Sequence, residues 1–248
     1  MAENGRYAVV MGATSGIGYE VARLLAAQGW KVGVAGRREE RLRLLMESCE
    51  NIVAAKVVDV TDVHAPAALL DLVQELGGMN LYFHSSGIGF QNIALDEAKE
   101  LPTVETNCVG MARMVGEAFR YFAGRPEVEG HIAVISSIAR TKGLGAAPAY
   151  SASKRFTSHY LEALSQLIRI RHIRNLTITD IRPGFVRTPL IEGSPFPMQL
   201  AVGPVAEAIV RAIRRRKSVV TINVGYRLLV FFWQLIPRWL WVRLRIAA

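Results

Sequence analysis

The sequence predicts a single α/β domain, a doubly wound parallel sheet of about seven strands with helices on both faces. Two observations carry this. Apolar runs rich in β-branched residues alternate along the chain with segments of helical periodicity, and the runs stay apolar at successive positions. A strand that is apolar on both sides belongs to a parallel sheet covered above and below. The 248 residues, 51% of them hydrophobic, suffice for one such domain with a sizeable core, and no linker or repeat interrupts them.

In chain order the strand-like runs are Tyr7–Met11, Lys31–Ala35, Ile52–Val58, Asn80–His84, His131–Ile135, Leu176–Ile181 and Val219–Asn223. Helical patterns lie between them near 17–28, 38–48, 65–76, 103–123, 150–171 and 204–216. This is the pattern of a Rossmann-type sheet, in which ligands bind beyond the carboxyl ends of the strands. The residues just after each apolar run are therefore expected to hold the site.

Directly after the first strand comes Gly12-Ala13-Thr14-Ser15-Gly16-Ile17-Gly18, followed by a helix. Glycines serve where backbone must turn sharply and approach a pyrophosphate, and the helix start offers free N–H groups and positive dipole. A plain tight strand–helix turn would use glycine too, so the position after strand one matters. The second strand runs into Gly36-Arg37-Arg38. An acidic residue there would accept from the ribose of NAD; a guanidinium instead pairs with a 2′-phosphate. The expected cofactor is NADP(H), the alternative being a solvated arginine pair partnered by Glu39 and Glu40.

Strand five ends at Ser136-Ser137, and Tyr150-Ser-Ala-Ser-Lys154 follows on a helical segment. Positions i and i+4 share a helix face, so phenol and ammonium project toward one place. A nearby cation favours the ionised phenol, which could pass a proton to or from a ketone oxygen near neutral pH. Ser137 could hydrogen-bond the same oxygen while a nicotinamide carries the hydride. Taken alone, a Tyr-x-x-x-Lys pair is more often ordinary helix surface.

Together these residues resemble the short-chain dehydrogenase/reductase family over nearly all of residues 5–224. The resemblance implies that Gly12, Gly16 and Gly18 form the family's glycine motif, and that Ser137, Tyr150, Lys154 and Asn107 form its catalytic tetrad. The asparagine, in Thr106-Asn107-Cys108-Val109-Gly110, would hold a water relaying protons to the lysine. Asp59, with Val60 beside it, matches the adenine-contacting aspartate. Pro183-Gly184 matches the segment after strand six, and Val186 and Thr188 would bracket the nicotinamide carboxamide. One departure stands out: where the family has Asn-Asn-Ala-Gly after strand four, this chain has His84-Ser85-Ser86-Gly87. Gly87 keeps the backbone passage beside the cofactor while the amides that brace sheet and ribose are lost, and a serine such as Ser86 supplies part of that bonding, so altered cofactor affinity is expected, with activity retained.

The loop Leu190 to Gly203, with Pro189 just before it, is apolar (Pro195, Phe196, Pro197, Met198, Leu200), Glu192 being its one charge, and fits a lipophilic small-molecule substrate. The net charge of +9 is concentrated at the end: nine basic and no acidic residues follow Glu207, along with three of the four tryptophans. The domain is expected to span 1–224 and a basic, apolar tail 225–248. Tyr226–Ile236 and Arg238–Ile246, broken by Pro237, read as two short helices lying on an anionic membrane surface or packing on a partner subunit or over the substrate pocket. Nucleic acid is not an expected partner; a homodimer or homotetramer is what the resemblance implies. Cys49 and Cys108 have no metal or disulfide spacing, the five histidines show no ligand spacing, and the polar Met1 to Arg6 leaves no room for a signal peptide. A cytoplasmic protein, or one peripheral on the cytoplasmic membrane face, is expected. The activity expected is interconversion of a ketone and a secondary alcohol, on a 3-keto sphingoid base, an acyl ketone or a steroid ketone. Two other readings compete: an NADP-binding scaffold or sensor with little turnover, and epimerisation or dehydration of a nucleotide sugar, for which the chain lacks a substrate lobe.

Overall fold

The computed structural model describes residues 6–191, 193 and 196–246. Met1–Gly5, the loop residues Glu192, Ser194 and Pro195, and the last two residues of the tail lie outside them. Seven parallel strands form one sheet in the order β3-β2-β1-β4-β5-β6-β7. They are β1 Tyr7–Met11, β2 Lys31–Gly36, β3 Ile52–Val57, β4 Leu81–His84, β5 Gly130–Ile135, β6 Leu176–Arg182 and β7 Val219–Thr221. The order reverses between β1 and β4, so the crevice for a ligand lies beyond Met11 and His84.

The continuous apolar strands explain the two-sided burial. Successive side chains of β1 point to opposite faces. Ala8 and Val10 enter the core beneath α1 (Gly16–Ala27), α2 (Glu39–Glu47) and α7 (Val202–Arg214). Val9 and Met11 enter the core beneath α3 (Ala65–Leu76), α5 (Met111–Ala123) and α6 (Pro148–Ile170). At about 1.5–3 kcal/mol for each large side chain buried, these two layers hold the strand ends in place.

The expected helix over 103–123 starts earlier. An additional helix, α4 (Glu97–Val104), is capped by the Asp96 carboxylate accepting from Ala98 N, and runs through Pro102 into a π-helical turn, Glu105–Gly110, ahead of α5. A proline inside a helix normally ends it. Here tertiary bonds override that: Glu100 accepts from Asn92 Nδ2 at 2.8 Å and from Ala149 N, at the start of α6, at 3.1 Å.

The tail forms α8 (Val224–Leu235), a break at Pro237, and the single turn α9 (Arg238–Trp241). Its first turn belongs to the domain core. Tyr226 is buried, and its ring fills the space where a Cβ on Gly184 would come within 2.2 Å. Its hydroxyl accepts from Phe185 N at 3.1 Å and donates to Met198 O at 2.9 Å. Among the described residues no helix is long and apolar enough to cross a membrane.

Gly12 is the tightest point of the glycine turn. It has φ +86°, and a Cβ there would lie 2.6 Å from Ser86 N on the neighbouring strand's exit loop. Gly12→Ala therefore combines backbone strain with an overlap against backbone that cannot yield. A loss of about 2 kcal/mol or more is expected by thermal unfolding; an unchanged midpoint would refute the close approach.

Candidate active site

A cavity of about 630 Å³ opens beyond the strand ends at the crevice between β1 and β4. Its walls include Gly12, Thr14, Ser15, Gly16 and Ile17 from the first turn, Arg37 and Arg38 after β2, and Asp59 and Val60 after β3. Ser86 and Gly87 after β4, Ser137 after β5, Tyr150 and Lys154 of α6, and Pro183, Gly184, Val186 and Thr188 after β6 also line it. Gly18 and Asn107 stand behind this lining. Gly18 does its work through packing, Asn107 through hydrogen bonds. A Cβ on Gly18 would strike Gly12 O at 2.2 Å, so glycine there lets α1 sit against the turn.

At the phosphate end, Ser15 is the N-cap of α1 but makes no side-chain cap bond, and the first turn of the helix holds no acidic residue. The helix start is thus left to an anion. Arg38 reaches across from β2. Its Nη2 donates to Thr14 Oγ1 and Ser15 Oγ, each at 2.7 Å, and its Nε to Thr14 Oγ1 at 3.1 Å. The guanidinium therefore stands over the glycine turn. Arg37 points instead toward Asp59, 3.9 Å from its carboxylate. Asp59 also accepts from the Thr61 backbone N–H and hydroxyl. Burial, the largest single influence, pushes its carboxyl up, but the Thr61 bonds and the Arg37 charge together outweigh it and leave the group below its ordinary range. Glycine turn, helix start and Arg38 form a cationic cradle at this end of the cavity. Among the described residues neither arginine forms an ion pair with Glu39 or Glu40, and both remain exposed.

At the chemical end, Tyr150 and Lys154 do share a face of α6. Pro148 opens that helix in its first turn, where its missing N–H costs nothing. Burial pushes the Tyr150 phenol above its ordinary value, and a hydrogen bond with Ser137 draws it partly back. Sequence reasoning has the lysine lowering the phenol; the structure reverses the sign. The Lys154 ammonium donates to Ile135 O at 3.2 Å and stands 5.7 Å from the Tyr150 ring centre, so burial dominates. Burial also brings Lys154 down to about 8, with Cys108 and Asp180 opposing. Ser137 Oγ accepts from Ala139 N at 3.1 Å, which fixes its rotamer beside the phenol.

Asn107 lies in the π-helical turn. Its Oδ1 accepts from Ile88 N at 2.9 Å, and its Nδ2 donates to Ile88 O at 2.7 Å and to Ser153 Oγ at 3.0 Å. The carboxamide thus clamps the loop after β4 to α6, next to Lys154. His84, in the departure from the family pattern, is buried and hydrogen-bonded through Nδ1 to Tyr82 OH at 2.9 Å. Burial first, and the Lys154 charge second, push it down to about 3, so it is neutral.

Two features of the site escape sequence reasoning, and a third settles where part of the tail lies. A Cβ on Gly89 would lie 2.3 Å from the Tyr150 ring, so this glycine makes room for the phenol. Phe185 stacks on Phe196 with ring centres 4.3 Å apart, forming an apolar wall. Trp233 and Ile246 of the tail line the same cavity. The tail therefore packs over the pocket, one of the placements its composition allowed.

The model of the short chain dehydrogenase family matches residues 6–195. An uncharacterised oxidoreductase of Myxococcus xanthus is 34% identical over 204 residues, 78% of this chain and 77% of its own. A putative ketoacyl reductase of Streptomyces coelicolor is 33% identical over 195 residues, 76% of this chain and 73% of its own. Among solved structures, a single-substitution variant of actinorhodin polyketide ketoreductase with NADPH superposes with a TM-score of 0.77 at 25% identity, covering 90% of this chain and 97% of that one. A short-chain dehydrogenase/reductase of Burkholderia phymatum in complex with NAD superposes at 0.82 with 22% identity, each chain covered to 93%.

Proposed function

The chain belongs to the short-chain dehydrogenase family, and from that premise we propose that it is an NADP(H)-dependent reductase of a lipophilic ketone. One observation carries the reading: Ser137, Tyr150 and Lys154 line the same cavity as the glycine turn and Arg38. A nicotinamide cofactor held there supplies the hydride. The glycine turn and the α1 start bind its pyrophosphate, and Arg38 binds the 2′-phosphate. Tyr150 gives its proton to the ketone oxygen, Ser137 donates to that oxygen, and Lys154 holds positive charge beneath the phenol. Asn107 positions the loop at Ile88 against α6. At neutral pH the phenol is protonated, so it can give its proton in reduction, and the same group takes the proton back in oxidation.

The test follows NADPH absorbance with long-chain ketones in detergent, 3-ketosphinganine among them. Turnover is expected with NADPH in preference to NADH, and Arg38→Ala should weaken NADPH binding about tenfold or more while sparing NADH, since charged hydrogen bonds contribute about 1.5–3 kcal/mol. Tight NADPH binding without turnover of any ketone would favour the scaffold reading; equal binding of NADH and NADPH would overturn the cofactor assignment.

The same reading puts the tail on an anionic membrane. Phe231 is 55% exposed, Phe232 60%, Leu235 64% and Trp239 60%, on a stretch free of acidic residues. Apolar side chains enter the interface while arginines meet phosphates. Cosedimentation with anionic but not neutral vesicles is expected, and Phe231→Ser with Phe232→Ser should abolish it. Truncation after Gly225 is the wrong probe, because it removes the core residue Tyr226.

A further inference from the structure

A second cavity, of about 780 Å³, lies beside the first, beneath α9. The turn α9 is pinned over it: Trp241 Nε1 donates to Gly143 O at 2.8 Å, and Lys142 Nζ donates to Ile236 O at 2.7 Å. Among the described residues, four cations, Arg140, Lys142, Arg155 and Arg245, are in its walls, and no carboxylate is. The remaining lining is largely apolar, with Ile93, Trp241 and Leu244 among it.

Two polar atoms here lack partners. Arg140 Nε and Thr141 Oγ1 are shielded from solvent and make no hydrogen bond among the described residues. Such unpartnered atoms are costly, but being closed to solvent they do not themselves face a ligand; Arg140 meets the cavity as one of its wall residues. Neither acidic group that acts on Arg140 is in the cavity wall. Asp180 accepts from Arg182 Nε at 2.7 Å and from Ser136, and Glu162 lies 3.7 Å from His159.

The two cavities share walls at Leu144, Ala146 and Ile246. The second cavity therefore adjoins the one that holds Tyr150, with these three residues between them. The geometry points to an anion subsite: the substrate is a single amphiphile whose ketone meets Tyr150 and whose phosphate or carboxylate group is held by Arg140 and Arg155. This rests on the proposed reductase reading and sharpens it from a lipophilic ketone to an anionic one. Apolar walls with a cationic edge fit a chain bearing one charged group better than they fit a free inorganic anion.

The test is binding first, so that it stands apart from turnover. Full-length protein is titrated calorimetrically with decyl phosphate below its micelle concentration, with inorganic phosphate, and with decyl maltoside. Decyl phosphate is expected to bind at least tenfold tighter than either comparison ligand. Arg155→Gln and Arg140→Gln should each weaken it about tenfold and leave decyl maltoside unchanged. Arg155 is exposed, so its variant decides the matter if Arg140→Gln fails to fold. Equal binding of the neutral and phosphate amphiphiles, or no effect of the arginine variants, would overturn the subsite. Equal binding of inorganic phosphate would reduce it to an ion site and overturn the amphiphile. If the variants lose anionic-vesicle binding while monomeric decyl phosphate fails to bind, the arginines serve the membrane, and the subsite is likewise overturned. Ketone turnover is then compared for a chain ending in carboxylate and one ending in methyl: the Arg155→Gln variant should raise KM for the first alone. Decyl phosphate binding with no turnover would sink the reductase reading and leave the anion site standing.

Discussion

Tyr150→Phe is expected to lower kcat for ketone reduction by about 10³-fold while NADPH affinity stays within a few-fold, since a positioned general acid contributes roughly 10²–10⁴. The substitution removes one oxygen from a side chain whose ring is already fixed. Gly89 provides the space for that ring, and Pro148 opens the helix that carries it. Ser137 keeps its bond from Ala139 N, so its position survives the loss of the phenol. The change in stability should thus stay near the ~1 kcal/mol of one hydrogen bond. Stopped-flow measurement of hydride transfer separates the chemical step from release. A variant that turns over within tenfold of the parent would remove Tyr150 from the reaction and leave only Lys154 or a solvent proton as the acid.

The legible parts of this molecule are those where local rules and global fold agree. The glycines of the first turn could be read because backbone there must adopt positive φ and pass close to another strand, as Gly12 does against Ser86. Tyr150 and Lys154 could be read because helix spacing places them on one face, whatever the surroundings. The sign of the Tyr150 shift could not. It depends on how deeply the ring is buried and on Lys154 turning to the Ile135 carbonyl, and neither is a property of spacing. The helix Glu97–Val104 was hidden for the opposite reason. Its local signal, Pro102, argues against a helix, and the bonds that hold it come from Asn92 and Ala149. The tail misleads in part because its composition is uniform. Tyr226 sits among exposed apolar residues in sequence but is committed to the backbone N–H of Phe185, 41 positions away. No periodicity links those two residues. The vacancy at Gly184 does, once the fold is known.

Lys154 makes the sharper demand on pH. Its ammonium is depressed to about 8 from the ordinary lysine value, chiefly by burial. In the reductive direction that positive charge must be present beside the phenol, so kcat/KM is expected to be flat through neutral pH and to fall above about 8. Lys154→Met, similar in volume and without charge, should lose about 10²-fold or more at every pH and show no such fall. The sign for stability is opposite to that for activity. Between about pH 8 and 10.5 the unfolded chain holds a proton that the folded lysine has released, so this group's contribution to stability rises with pH across that window. Below about pH 8 the full cost of a buried cation is present, bounded at about 3 kcal/mol by the size of the depression. Lys154→Met should therefore melt higher than the parent at neutral pH, with the advantage shrinking as the pH rises through that window. A variant that melts lower at neutral pH would mean that the bond to Ile135 outweighs the burial of the charge. A parent whose reductive rate rises above about pH 8 would mean that the neutral amine is the working form.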